Sequence, residues 1–115
     1  MFGVAEERRK MNKKPFYAWE KFGVAVHSLV TDHGEIKARL LAAFLSISSL
    51  SSRDIPDEIQ DQFAELRGLL TAKEPNGDEG RVRATLRYMR MDKASEIAER
   101  FLNIYLRLTE ICKED

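Results

Sequence analysis

A chain of 115 residues with 43% apolar and 33% charged side chains is the size of one domain, large enough to bury roughly two-thirds of its unfolded surface. Its 19 basic and 19 acidic residues cancel, which removes a global charge argument for nucleic acid or an anionic membrane. A single cysteine, Cys112, excludes an intramolecular disulfide and fits a reducing compartment.

Residues 1–14, "MFGVAEERRKMNKK", form a charged arm without the apolar run of a signal peptide. The longest apolar stretch, "LLAAFLSI", is far short of the ~20 residues that span a bilayer. These features predict a cytoplasmic protein that does not enter a membrane, with a helical domain over 15–115.

Pro15 suits the first turn of a helix, where its missing donor costs nothing. Trp19, Phe22, Val26 and Leu29 then recur at helical spacing up to a stop near Gly34. Gly23 inside this helix costs ~1 kcal/mol relative to alanine, so a closely packed neighbour is expected beside it. Ile36, Leu40, Phe44 and Ile47 trace a second helix that ends in "SISSLSSRD". Pro56 opens a third, with Ile59, Phe63, Leu66 and Leu70 inward and acidic residues in its first turns.

The loop "TAKEPNGDEG" interrupts the second half. In it Asn76-Gly77 signals a turn, and Asp78 or Gly77 is expected to cap the fourth helix. That helix presents Val82, Leu86 and Met89 to the core. Asp92 is the expected N-cap of the fifth, where Ala94, Ile97, Phe101, Ile104, Leu108 and Ile111 alternate steps of three and four. The seam reads as an internal core face. Leu102, Tyr105, Leu106 and Cys112 widen the apolar arc beyond it and leave room for a homodimer. The predicted fold is therefore all-α, a bundle of about five helices whose core includes Trp19, Phe22, Phe44, Phe63, Phe101 and Ile104.

Candidates for chemistry are few. His27 and His33 are about 120° apart on a helix and poorly placed to share a metal. Asp32, His33 and Glu35 gather at a corner that also reads as an ordinary helix stop. The serines at 46, 48, 49, 51 and 52 have no neighbouring histidine, and Cys112 beside Lys113 reads as inert. Neither a phosphate-binding glycine loop nor zinc-type cysteine spacing is present. No metal, cofactor or catalytic residue is expected; a deep pocket joining His27 or His33 to a carboxylate would reverse that reading.

Charge is separated along the chain. Residues 1–14 carry five basic and two acidic groups and residues 81–93 five and one, while residues 51–80 carry three and eight. On a continuous helix at 100° per residue, Arg83, Arg87 and Arg90 fall within about 60° of arc, with Arg81 and Tyr88 on the opposite flank. Such a ladder suits bidentate bonds to carboxylates or phosphates. Asp78 and Glu79 are placed to orient Arg81 or Arg83. Three readings follow: arginines paired with the acidic third helix or solvated, a protein partner with an acidic surface, or nucleic acid bound together with the arm from Arg8 to Lys14.

The segments "YAWEKFGVAVHSLV", "FAELRGLLT" and "EPNGDEGRVRATLRYM", over roughly residues 16–111, resemble small uncharacterised all-α bacterial proteins sharing a WEKF…GDEGR pattern. That resemblance implies a bacterial, helical, single-domain protein and no catalytic residue. The combined expectation is a non-enzymatic interaction or regulatory module, binding through Arg83, Arg87, Arg90, Asp78, Glu79, Arg81 and Tyr88.

Overall fold

In the computed structural model, which describes residues 15–77 and 79–114, five α-helices pack around one apolar core, with no strand among the described residues. They are α1 (Pro15–Thr31), α2 (Ile36–Ile47), α3 (Gln60–Leu70), α4 (Arg81–Arg87) and α5 (Met91–Glu114). Short 3-10 turns at Ser52–Asp54 and Asp57–Ile59 lead into α3. The all-α bundle expected from the apolar periodicity is the fold observed. The charged arm and Asp78 lie outside the described residues.

The helix α5 runs along the bundle and packs on α1, α2 and α3, while α4 bridges α2 and α3. All six residues of the α5 seam are buried, so it is a core face of its own chain. Phe22 and Phe101 meet at the centre, ring centroids 5.9 Å apart and both fully buried, with Phe63 at 6.2 Å from Phe22 in an edge-on contact. Ile59, Phe63, Leu66 and Leu70 all point inward, and Ile104 joins them.

The core departs from expectation in α1. Its buried line is Ala18, Phe22, Ala25 and Leu29, and Trp19 and Val26 sit half-buried at its edge. Small Ala18 and Ala25 let neighbouring helices approach closely, and Trp19 uses the edge position to satisfy its indole N–H, which donates to Thr109 Oγ1 at 2.9 Å. Phe44 is likewise half-buried against the core rather than within it.

Helix ends are secured by side chains distant in sequence. Gly34, at φ 107°, turns the chain out of α1. There Arg39 donates to the carbonyl of Leu29 at 2.6 Å, capping one of the helix's open acceptors. The serine-rich loop is held by Arg67, which donates to the Leu50 carbonyl, and by Gln60, which donates to that of Ser52.

Three boundaries differ from those expected. Pro56 opens only the 3-10 turn Asp57–Ile59, and α3 itself begins at Gln60. The helix α4 has seven residues and stops at Arg87; Met89 N–H turns back to the Leu86 carbonyl in a tighter, three-residue closure. The fifth helix begins at Met91, so Asp92 lies in its first turn rather than at its cap. Its carboxylate accepts from the Lys93 N–H at 2.9 Å.

A basic and aromatic surface at the α4–α5 corner

The loop before α4 turns at Gly77, whose φ of 65° places it in the left-handed region, and Glu79 N–H closes the turn on the Asn76 carbonyl. Gly80 occupies the cap position of α4 and supplies no side-chain bond, correcting the expectation that Gly77 or Asp78 would cap. What anchors the loop instead is Thr85. Its hydroxyl is buried, donates to the Arg81 carbonyl at 2.7 Å and accepts from Lys73 N–H at 3.0 Å.

The arginine ladder is broken by the end of the helix. Arg83 and Arg87 stand one turn apart on α4, both exposed, but Arg90 lies beyond Arg87 in the link to α5. Each has a different neighbour. Glu79, well covered, holds Arg87 at 3.0 Å; Arg81 reaches Glu74 at 3.2 Å and the Thr71 carbonyl; Arg90 meets Asp92 at 3.3 Å with both partners largely in solvent. Thus Glu79 orients Arg87, not Arg81 or Arg83 as expected, and among the described residues Arg83 makes no ion pair.

The acidic third helix also pairs differently. Glu65 of α3 binds Arg100 of α5 at 3.1 Å, while Arg81 and Arg87 of α4 take their acids from the preceding loop. Proximity decides this: the loop folds back along α4, whereas Arg100 lies on the α5 flank facing α3.

The corner creates a feature that no single helix contains. Leu69 at the end of α3, Ala72 just beyond it, Met89 and Tyr88 line an open groove of about 450 Å³, with Lys73, Arg90 and Lys93 on its rim. Tyr88 is 61% exposed and carries the Arg87 guanidinium 6.0 Å from its ring centre. Met91, also exposed, follows closely. Asp92 and Glu96 share the rim. Hydrogen bonding and charge from Lys93, then Arg100, hold the Glu96 carboxyl below the usual glutamate range.

Of the seven residues singled out in the sequence, Tyr88 and Arg90 line this groove, and Arg87 stacks beside it. Arg83 stands one turn before Arg87, Arg81 and Glu79 serve the loop, and Asp78 is outside the described residues. Lys73, Lys93 and Leu69 were not singled out, since they belong to three segments that only the fold brings together.

No protein-family model matches the chain, and neither the curated proteins nor the solved structures include a match.

His27 sits at the edge of a shallow groove with Glu20, and its Nδ1 forms a hydrogen bond with Thr31 Oγ1 at 3.2 Å. No cluster of three or more metal-ligating side chains occurs among the described residues. A smaller cavity of about 220 Å³ lies between α3 and α5, lined by Ile59, Gln62, Arg100, Asn103, Ile104 and Arg107. In it the Arg100 Nε is buried without an acceptor, while the two terminal nitrogens bind Glu65 and Glu96. None of the described helices is long and apolar enough to cross a membrane.

Proposed function

We propose that this chain is a non-enzymatic interaction module of the bacterial cytoplasm that docks an acidic segment of another protein at the α4–α5 corner. The observation that carries this reading is Tyr88, a large aromatic left 61% exposed beside an apolar groove whose rim holds Lys73, Arg90 and Lys93 along with Asp92 and Glu96. Tyrosine, methionine and arginine together are the composition of interface anchors. The partner's carboxylates meet Arg83 and Arg87, and an apolar side chain enters between Leu69 and Met89. Arg87, aimed by Glu79 and stacked on Tyr88, is the preorganised member of the pair.

The test is affinity capture from a bacterial lysate, using the wild type, Tyr88→Ala and an Arg83/Arg87/Arg90→Ala variant, followed by titration with the purified partner. One protein retained by the wild type and lost by both variants supports docking at this corner. Equal capture by all three rejects it. Nuclease-sensitive material with affinity falling at a logarithmic salt slope of about −0.9 per phosphate assigns the surface to duplex nucleic acid instead.

A further inference from the structure

The edge shared by α1 and α5 carries a second, chemically different surface. Trp19 meets Thr109 and Gly23 meets Tyr105, so the two helices run antiparallel, with the rings of Trp19 and Tyr105 stacked at 6.2 Å. Gly23 lets the Tyr105 ring lie close against the α1 backbone. The result is an open groove of about 360 Å³ lined by Trp19, Glu20, Gly23, Val24, His27 and Tyr105.

Apolar residues extend this groove in both directions. Phe16 and Val30 follow the Trp19 edge at helical spacings of three and eleven residues, and both are exposed. On α5, Leu102 and Leu106 flank Tyr105 and are 42% and 50% exposed. With Val24, 53% exposed, they put five large apolar side chains along this edge, on the order of 500 Å² in water, the upper part of the range for a monomer's largest patch.

We propose that this face binds a second copy of the chain through a two-fold interface. Two arguments select that occupant. Doubling roughly 500 Å² of apolar surface, with its polar rim, buries on the order of 1,200–1,500 Å², enough for a specific dimer. Charge supplies the second. Among the groove-lining residues Glu20 alone bears a formal charge, so the face meets its own copy with little like-charge repulsion. In the dimer the groove beside the Tyr105 ring receives an aliphatic side chain of the other copy.

Sedimentation equilibrium of the full chain tests this directly. The wild type is expected at twice its 13.3 kDa mass at about 50 μM. A Leu102→Lys/Leu106→Lys variant is expected at the monomer mass with an unchanged far-UV dichroism spectrum. Tyr88→Ala is expected to remain dimeric, which separates this proposal from the fate of the α4 corner. A wild type that stays monomeric up to about 200 μM, or a dimer that survives both lysines, overturns it. Should the double variant lose helicity, Val24→Lys decides the matter: dissociation supports the interface and an intact dimer overturns it.

Discussion

Gly23 and Tyr105 are fitted to one another: a Cβ added at Gly23 would lie 3.2 Å from Tyr105 Cε1, inside normal contact distance. The glycine costs α1 helical propensity, and the ring of Tyr105 takes the space thereby left open. Gly23→Val is therefore expected to destabilise the fold by about 1–3 kcal/mol through overpacking. Urea denaturation on both backgrounds checks this. The penalty should shrink clearly when Tyr105→Ala has removed the ring, and an unchanged penalty would assign it to backbone propensity alone.

Phe101 is the centre of the core, fully buried against Phe22 and placed by the α5 seam. Phe101→Ala removes that ring and leaves a void which α1 and α3 fill only in part. A loss of about 3–5 kcal/mol in denaturant unfolding is expected. Leu102→Ala, one residue along but exposed, should cost far less in a monomer, and a comparable loss would place the core elsewhere.

Thr85 joins the 71–80 loop to α4 through one buried hydroxyl. Thr85→Val keeps the shape but leaves the Lys73 N–H without its acceptor, at a cost of about 1–3 kcal/mol. Hydrogen exchange at Lys73 is the sharper readout. Its amide should exchange markedly faster in the variant, while the amides of the α5 core keep their relative order.

Glu96 provides the pH test. Lys93 foremost, and Arg100 next, favour its ionised form, so its carboxyl titrates below an ordinary glutamate. A depressed folded-state value contributes stability that is fully present above the unfolded glutamate value and is lost as pH falls through the folded one. Carbon-detected NMR titration should find the Glu96 inflection below the ordinary glutamate range. Lys93→Ala should move it upward, and an unmoved inflection would remove Lys93 as the cause.

The apolar pattern made much of the architecture legible. Ala94, Ile97, Phe101, Ile104, Leu108 and Ile111 predict a buried helix face because burial and the 3.6-residue turn are both local in sequence, and all six are buried. Ile59, Phe63, Leu66 and Leu70 were readable for the same reason. Trp19 shows where periodicity stops being informative. Its spacing with Phe22 and Leu29 points to the core, yet its indole N–H finds Thr109, ninety residues away, and that partner holds it at the edge.

The arginine-bearing segment is legible as a charged helix with a break signalled at Asp92, but the sequence carries that helix on to Arg90, where the structure ends it at Arg87. Nothing between Arg87 and Met91 is a glycine or proline, so composition gives no break, and projecting Arg90 onto the Arg83–Arg87 face was the natural consequence. The chain turns there because α4 must bridge α2 and α3 while α5 directs its seam inward. That is a packing requirement, and it ends α4 ahead of the boundary that Asp92 signals.

By itself, then, the sequence determined the helical class, the inward faces and the separation of charge along the chain, since each depends on residue type and short-range periodicity. Tertiary structure decided the end of α4, the acid that each arginine takes, the groove beside Tyr88 and the exposed α1–α5 edge. Those are set by side chains that approach from distant segments, and such distances exist only once the core has closed.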